Sequence, residues 1–210
     1  GDKIYYNNRD KAIALAVIGR KTLAEGANIC AAHVDSPRMD LKPNPLYEDS
    51  EIAYFKTHYY GGIKKYQWPT VELALHGVVC LKDGTTVTIT IGEDPTDPVL
   101  MISDLLIHLA GDQMQKTASQ VIAGEQLNVI MGTEPLEGEG SDLVKLHIMK
   151  LLNEKYGIIE ADFLSAELCI VPAGKSREIG LDRSLIGAYG HDDRVCAFAE
   201  MEAIFNIETP

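Results

Sequence analysis

With 210 residues and 46% hydrophobic content the chain can bury one core, or one core and a smaller satellite domain, which excludes a disordered polymer. Acidic residues outnumber basic ones by 31 to 19, a formal net charge of -12. Such a surface repels phosphate backbones and anionic bilayers, so neither nucleic acid nor membrane is an expected partner.

No apolar run approaches the roughly 20 residues a bilayer span needs, and no charged leader opens the chain, so the cytoplasm is the expected location. Cys30, Cys80, Cys169 and Cys196 form no CxxC pair and lie in apolar text, which is the pattern of reduced core thiols.

In chain order, the apolar runs Lys11 to Gly19 and Asn28 to Val34 suit buried strands of a largely parallel sheet. After Val34 the prolines at 37, 43 and 45 disfavour helix and mark a loop that leaves the sheet. Ile52 to His58 and Val71 to Leu81 read as antiparallel strands, with Asp83-Gly84 as a turn into the alternating run Thr86 to Ile91. Ser103-Asp104 opens a helical pattern carrying Leu105, Leu106, Leu109 and Met114 on one face. Ser141-Asp142 opens a second, with Leu143, Leu146, Met149, Leu151 and Leu152 apolar and Gly157 past its end. Strand character returns from Ala166 to Val171, and a last helix is expected from about Asp193 to Phe205.

This pattern predicts an α/β fold in which a sheet domain is interrupted by an inserted β-rich domain. The boundaries read as residues 1–43 for the first part of the sheet domain, 44–165 for the insertion and 166–210 for the continuation.

Two motifs flank that insertion. In Ala32-His33-Val34-Asp35-Ser36-Pro37 a neutral imidazole can ligate zinc, and a carboxylate two residues on, sharing a side of a strand, can hold the ring's tautomer. A strand-end histidine bonded to a nearby acid has the same pattern without metal. In Gly190-His191-Asp192-Asp193-Arg194 a carboxylate can bridge two metal ions, while a helix N-terminus attracts aspartates through its dipole alone. Together they supply what neither has alone, a His and an Asp arriving from separate parts of the chain.

The segments His33 to Pro43 (HVDSPRMDLKP), Thr57 to Trp68 (THYYGGIKKYQW) and Asp182 to Phe198 (DRSLIGAYGHDDRVCAF) resemble, in order, the aspartyl aminopeptidases, especially their bacterial branch. The resemblance implies a partial zinc-peptidase sheet domain of the phosphorylase/hydrolase-like type, interrupted by a dimerisation domain. It also implies two zinc ions per site, with His33 ligating one, Asp35 orienting His33 and Asp192 bridging both. Within the insertion the segment Leu105 to Leu109 matches the one whose histidine reaches the partner subunit's active site, which makes His108 the candidate substrate contact. The implied partners are a peptide with an acidic N-terminal residue and further copies of the chain, as a dimer or a dodecameric shell. The family's general base is the first glutamate of a Glu-Glu pair, and no such pair occurs in these residues, so an inactive internal fragment is expected. A non-catalytic assembly module and a glutamyl or leucyl type of dinuclear aminopeptidase stay open as alternatives.

Overall fold

The computed structural model describes residues 1–208, and the chain divides into two compact units, Gly1–Ser36 with residues 188 onward, and Pro37–Gly187. In chain order the strands and helices are β1 (Lys3–Asn8), β2 (Ala12–Val17), β3 (Arg38–Asp49), β4 (Ile52–Tyr60), β5 (Leu73–Cys80), β6 (Thr86–Ile91), β7 (Val129–Gly132), α1 (Leu143–Tyr156), β8 (Ala166–Pro172), β9 (Arg177–Ile179), β10 (Leu185–Gly187) and α2 (His191–Asn206). The fold is mixed α/β. No helix among the described residues is long and apolar enough to cross a membrane.

In the larger unit six strands form one sheet in the order β6-β5-β8-β3-β4-β7, with every neighbour antiparallel. Alternation sends Ile89 and Ile91 of β6 inward and leaves Thr86, Thr88 and Thr90 outward. They join Met39, Phe55, Leu75, Val79, Leu168 and Ile170 in a continuous core, where the Phe55 and Phe163 rings meet edge to face at 5.5 Å. Helix α1 adds Val144, Ile148 and Leu152, a stripe at i, i+4 and i+8. Leu146 and Leu151, expected on that apolar side, are 48% and 49% exposed; Leu146 lies on the far side of the helix from the stripe, and Leu151 at its edge. Gly157 ends the helix in the left-handed conformation at φ 73, as expected. Gly77 is needed where β5 meets β8: with φ at +139, a Cβ there would stand 1.9 Å from the carbonyl oxygen of Glu167.

Several expectations are corrected. The domain boundary expected at residue 43 falls inside β3. The run Lys42 to Pro45 is an irregularity in that strand, because the β3–β4 register jumps from Leu41↔Thr57 to Leu46↔Phe55. Prolines fit there because β8 pairs with β3 only at Met39 and Asp40, so the later N–H positions on that side have no ladder to serve. The expected re-entry at residue 166 is also displaced. Strand β8 lies between β5 and β3, and the chain returns to its first unit only at residue 188. The helix expected from Ser103 is replaced by short 3-10 turns at Ile107–Leu109 and Gln113–Gln115, with Leu105, Leu106, Ile107 and Leu109 exposed. An apolar stripe stabilises a helix only when it has a surface to bury against.

In the smaller unit β1 and β2 form an antiparallel hairpin across a turn in which Arg9 and Asp10 both take φ 55. The Asn7 side chain holds Asp10 by two hydrogen bonds, of 2.6 and 3.0 Å. The parallel strands expected here are not formed: all ladders among the described residues are antiparallel, and among them Asn28 to Val34 runs without regular structure and pairs with no strand. The cysteines are free thiols, but Cys30, Cys80 and Cys196 are exposed and Cys169 is half-buried, so they are not core residues.

Candidate metal centre

His33 and Asp192 belong to the smaller unit, and its fold brings them together with residues 37–187 intervening in sequence. His33 sits in the irregular segment before β3. Its ring is set locally: Nδ1 lies 2.8 Å from the backbone carbonyl of Asp35, with the Asp35 carboxylate at 3.3 Å. The carbonyl, an acceptor only, makes Nδ1 the protonated nitrogen and leaves the Nε2 lone pair free to bind a cation. Asp35 is thus beside His33 as expected, but its carbonyl is the nearer partner. The same hydrogen bond, followed by the charges of Asp35, Asp193 and Asp192, raises the affinity of His33 for a proton above the usual histidine range, against a smaller desolvation effect.

Nε2 faces Asp192 Oδ1 at 3.4 Å and Asp193 Oδ2 at 3.9 Å. Both separations exceed a hydrogen bond between neutral imidazole and carboxylate. Two donors each about 2.0–2.1 Å from a tetrahedral zinc stand about 3.3 Å apart, so the His33–Asp192 spacing fits one edge of a zinc coordination sphere.

The two aspartates at the entry to α2 are divided by backbone geometry. Asp192 and Asp193 take non-helical angles, φ -90, ψ 111 and φ -119, ψ 39, so regular helix begins after them. Asp193 Oδ1 accepts the backbone N–H of Cys196 at 3.3 Å, the reach of an N-cap to the third helical residue. Its side chain is 22% exposed, that of Asp192 76%. Helix capping therefore accounts for Asp193, and the carboxylate of Asp192 is open to a ligand.

Sequence reasoning missed Ser36. It is buried at 7%, and its Oγ donates to the carbonyl of Asp192 at 2.8 Å. The available signal was a hydroxyl placed between the HxD motif and a proline. His108 lies in the other unit, exposed on the Ile107–Leu109 turn. Among the described residues no group of three or more His, Cys, Asp or Glu side chains is placed to hold a metal ion, so the chain presents two donors of the expected set and not a closed site.

These features define a mixed α/β chain in which an imidazole and an exposed carboxylate lie 3.4 Å apart at the start of a helix. The chain belongs to the aminopeptidase I zinc metalloprotease (M18) family, whose pattern matches residues 1–210, and this bears out the resemblance to the aspartyl aminopeptidases. A probable M18 family aminopeptidase 1 of Clostridium acetobutylicum is 56% identical over 209 residues, which cover 99% of this chain and 45% of that protein. The crystal structure of an M18 family aminopeptidase of Thermotoga maritima superposes with a TM-score of 0.90 at 51% identity, over 99% of this chain and 46% of that one. The mApe1 dodecamer of Saccharomyces cerevisiae matches with a TM-score of 0.64 at 20% identity, over 97% of this chain and 44% of that one, a likeness of fold alone. The chain spans about half the length of the curated relatives it matches.

Proposed function

We propose that the full-length protein is a zinc-dependent aminopeptidase that releases N-terminal residues, acidic ones by preference, from peptides. His33 is a ligand to one of two ions, Asp192 bridges both, and Asp35 orients the His33 ring. The observation that carries this reading is the 3.4 Å approach of His33 Nε2 to Asp192 Oδ1 within a family of zinc metalloproteases.

Zinc held there would supply Lewis-acid chemistry, polarising a scissile carbonyl and making water acidic enough to ionise near neutral pH. The residues of this chain prepare the place for it. The Asp35 carbonyl commits the Nδ1 proton, and Asp193 is occupied by the helix end, so His33 Nε2 and the carboxylate of Asp192 are the groups that would hold the ions. Two protein donors are too few for tight zinc binding, which takes three or four. The remaining ligands and the general base therefore come from outside these 210 residues, in keeping with the 45% share of its relative that the chain covers. The 210-residue chain alone is inactive.

The protein works as a homo-oligomer, a dimer and beyond it a dodecamer, with His108 contacting substrate in the partner subunit. The exposed apolar run around His108 and the shared fold of the yeast dodecamer support this.

The test compares the full-length protein, its His33→Ala and Asp192→Ala variants and the 210-residue chain. Zinc content is measured by elemental analysis, and turnover with aspartyl, glutamyl and leucyl chromogenic peptides. Loss of zinc and activity in both variants is expected, with the acidic substrates fastest in the parent. Unchanged zinc in both variants, or robust turnover by the 210-residue chain, would overturn the reading.

A further inference from the structure

We infer that Ser36 is a positioning residue for the metal centre: its hydroxyl fixes the backbone of Asp192 so that the carboxylate meets the His33 imidazole at ligand spacing. This rests on the reading of Asp192 as a ligand.

Within these 210 residues the smaller unit has little packing to hold Asp192 in place. No residue of α2 is buried, and the segment carrying His33 has no strand partner. In these surroundings a serine at 7% exposure is unusual, and burying a hydroxyl is costly unless it is hydrogen-bonded. Its bond is to the carbonyl of Asp192, not to an arbitrary acceptor, at 2.8 Å. Fixing that carbonyl places the peptide plane that contains the Asp192 Cα, so that only rotation about the Cα–C bond and the side-chain torsions remain to aim the carboxylate. Ser36 lies three residues beyond His33, so one short segment carries both an imidazole donor and the clip that holds its partner.

Gly190 supports the same arrangement from the other side. Its φ is +96, and a Cβ there would stand 2.7 Å from Arg194 Nη1 and 3.5 Å from Ser36 Oγ. The turn before Asp192 thus lies against the serine with Arg194 folded over it, in a backbone conformation that a residue with a side chain rarely adopts. Within these 210 residues the Asp192 side chain is 76% exposed, and the hydrogen bond to its backbone is the contact that positions it.

The test uses the full-length protein and its Ser36→Ala, Ser36→Thr and Asp192→Ala variants. Zinc affinity is measured by chelator competition, cobalt coordination by visible absorption, and the melting of the metal-free proteins by circular dichroism. Ser36→Ala is expected to weaken metal binding by about 10- to 100-fold and to alter the cobalt spectrum, while Ser36→Thr, which keeps the hydroxyl, restores both. Unchanged affinity in Ser36→Ala overturns the inference, as does an equal loss in Ala and Thr variants, which marks a purely structural role. If Asp192→Ala itself leaves metal binding intact, the metal centre is wrong. If Asp192→Ala abolishes binding and Ser36→Ala does not, only the positioning role fails.

Discussion

Glu48 of β3 accepts the backbone N–H of Lys145, in the first turn of α1, through Oε2 at 2.9 Å. Asp142, at the N-cap position, makes no side-chain cap and sits at φ 58, so the helix end is satisfied by a strand residue distant in sequence. The carboxylate also complements the positive end of the helix dipole. Glu48→Ala is expected to destabilise the larger unit by about 1 kcal/mol, the usual value of a lost cap, and Glu48→Gln by less. Urea titration followed by far-ultraviolet circular dichroism measures both.

Cys196 follows Asp193 into α2, and its thiol is held protonated above the ordinary cysteine range, first by hydrogen bonding to the Asp193 carboxylate, then by desolvation and by the charges of Asp193, Glu200 and Asp192. A negative neighbour disfavours the thiolate, and the thiolate is the form that reacts with alkylating agents. Alkylation of Cys196 should therefore rise at higher pH than for an unperturbed thiol. Asp193→Asn keeps a good N-cap and removes the charge, so the midpoint should move down. Iodoacetamide labelling across pH, read peptide by peptide in a mass spectrometer, separates Cys196 from the other three cysteines. An unmoved midpoint in Asp193→Asn would refute this account.

What could be read from the sequence was local. The β4, β5 and β6 strands, the Asp83-Gly84 turn, the Gly157 helix stop and the last helix follow from alternation, turn chemistry and capping, which act over a few residues. The failures occurred where a distant partner decides. Pro43 and Pro45 looked like a boundary, but the short β8 ladder tolerates them in a strand. Leu105 to Leu109 had a helical period, and without a surface to cover it remains a turn. At the candidate site the motifs singled out His33, Asp35 and an aspartate of the Asp192-Asp193 pair, and the family resemblance chose Asp192. Ser36 and the division of labour between Asp192 and Asp193 depend on backbone angles and a long-range hydrogen bond that no local pattern encodes.

The β3–β4 hairpin closes on Ser50 and Glu51, with φ of 52 and 61, between the paired residues Asp49 and Ile52. A two-residue turn with both central residues left-handed is the type that favours Asn followed by Gly. Serine and glutamate occupy that region at a cost of about 1–2 kcal/mol each, which Asn and Gly largely avoid. Replacing the pair by Asn-Gly is expected to raise stability by about 1 kcal/mol, partly offset by the greater freedom of glycine in the unfolded chain. Thermal unfolding of the variant beside the parent tests this, and a lower melting temperature would show that the turn is not strained as described.

The run Leu105, Leu106, Ile107 and Leu109 places four large apolar side chains in water at 53 to 67% exposure. Surfaces of this kind mark interfaces. If the proposed self-association uses this run, a charge placed in it leaves the fold intact, since none of these side chains enters the core. Ile107→Asp is then expected to weaken assembly of the full-length protein by about ten- to a hundredfold, from the roughly 1.5–3 kcal/mol that burial of such a side chain contributes. Sedimentation across a concentration series reads the assembly state, and circular dichroism confirms the fold. His108→Ala, beside it on the same turn, separates the two roles given to this segment: assembly should persist while turnover of the acidic peptide falls. Assembly unaltered by Ile107→Asp would place the contact between copies elsewhere and remove the structural ground for His108 as a residue shared across it.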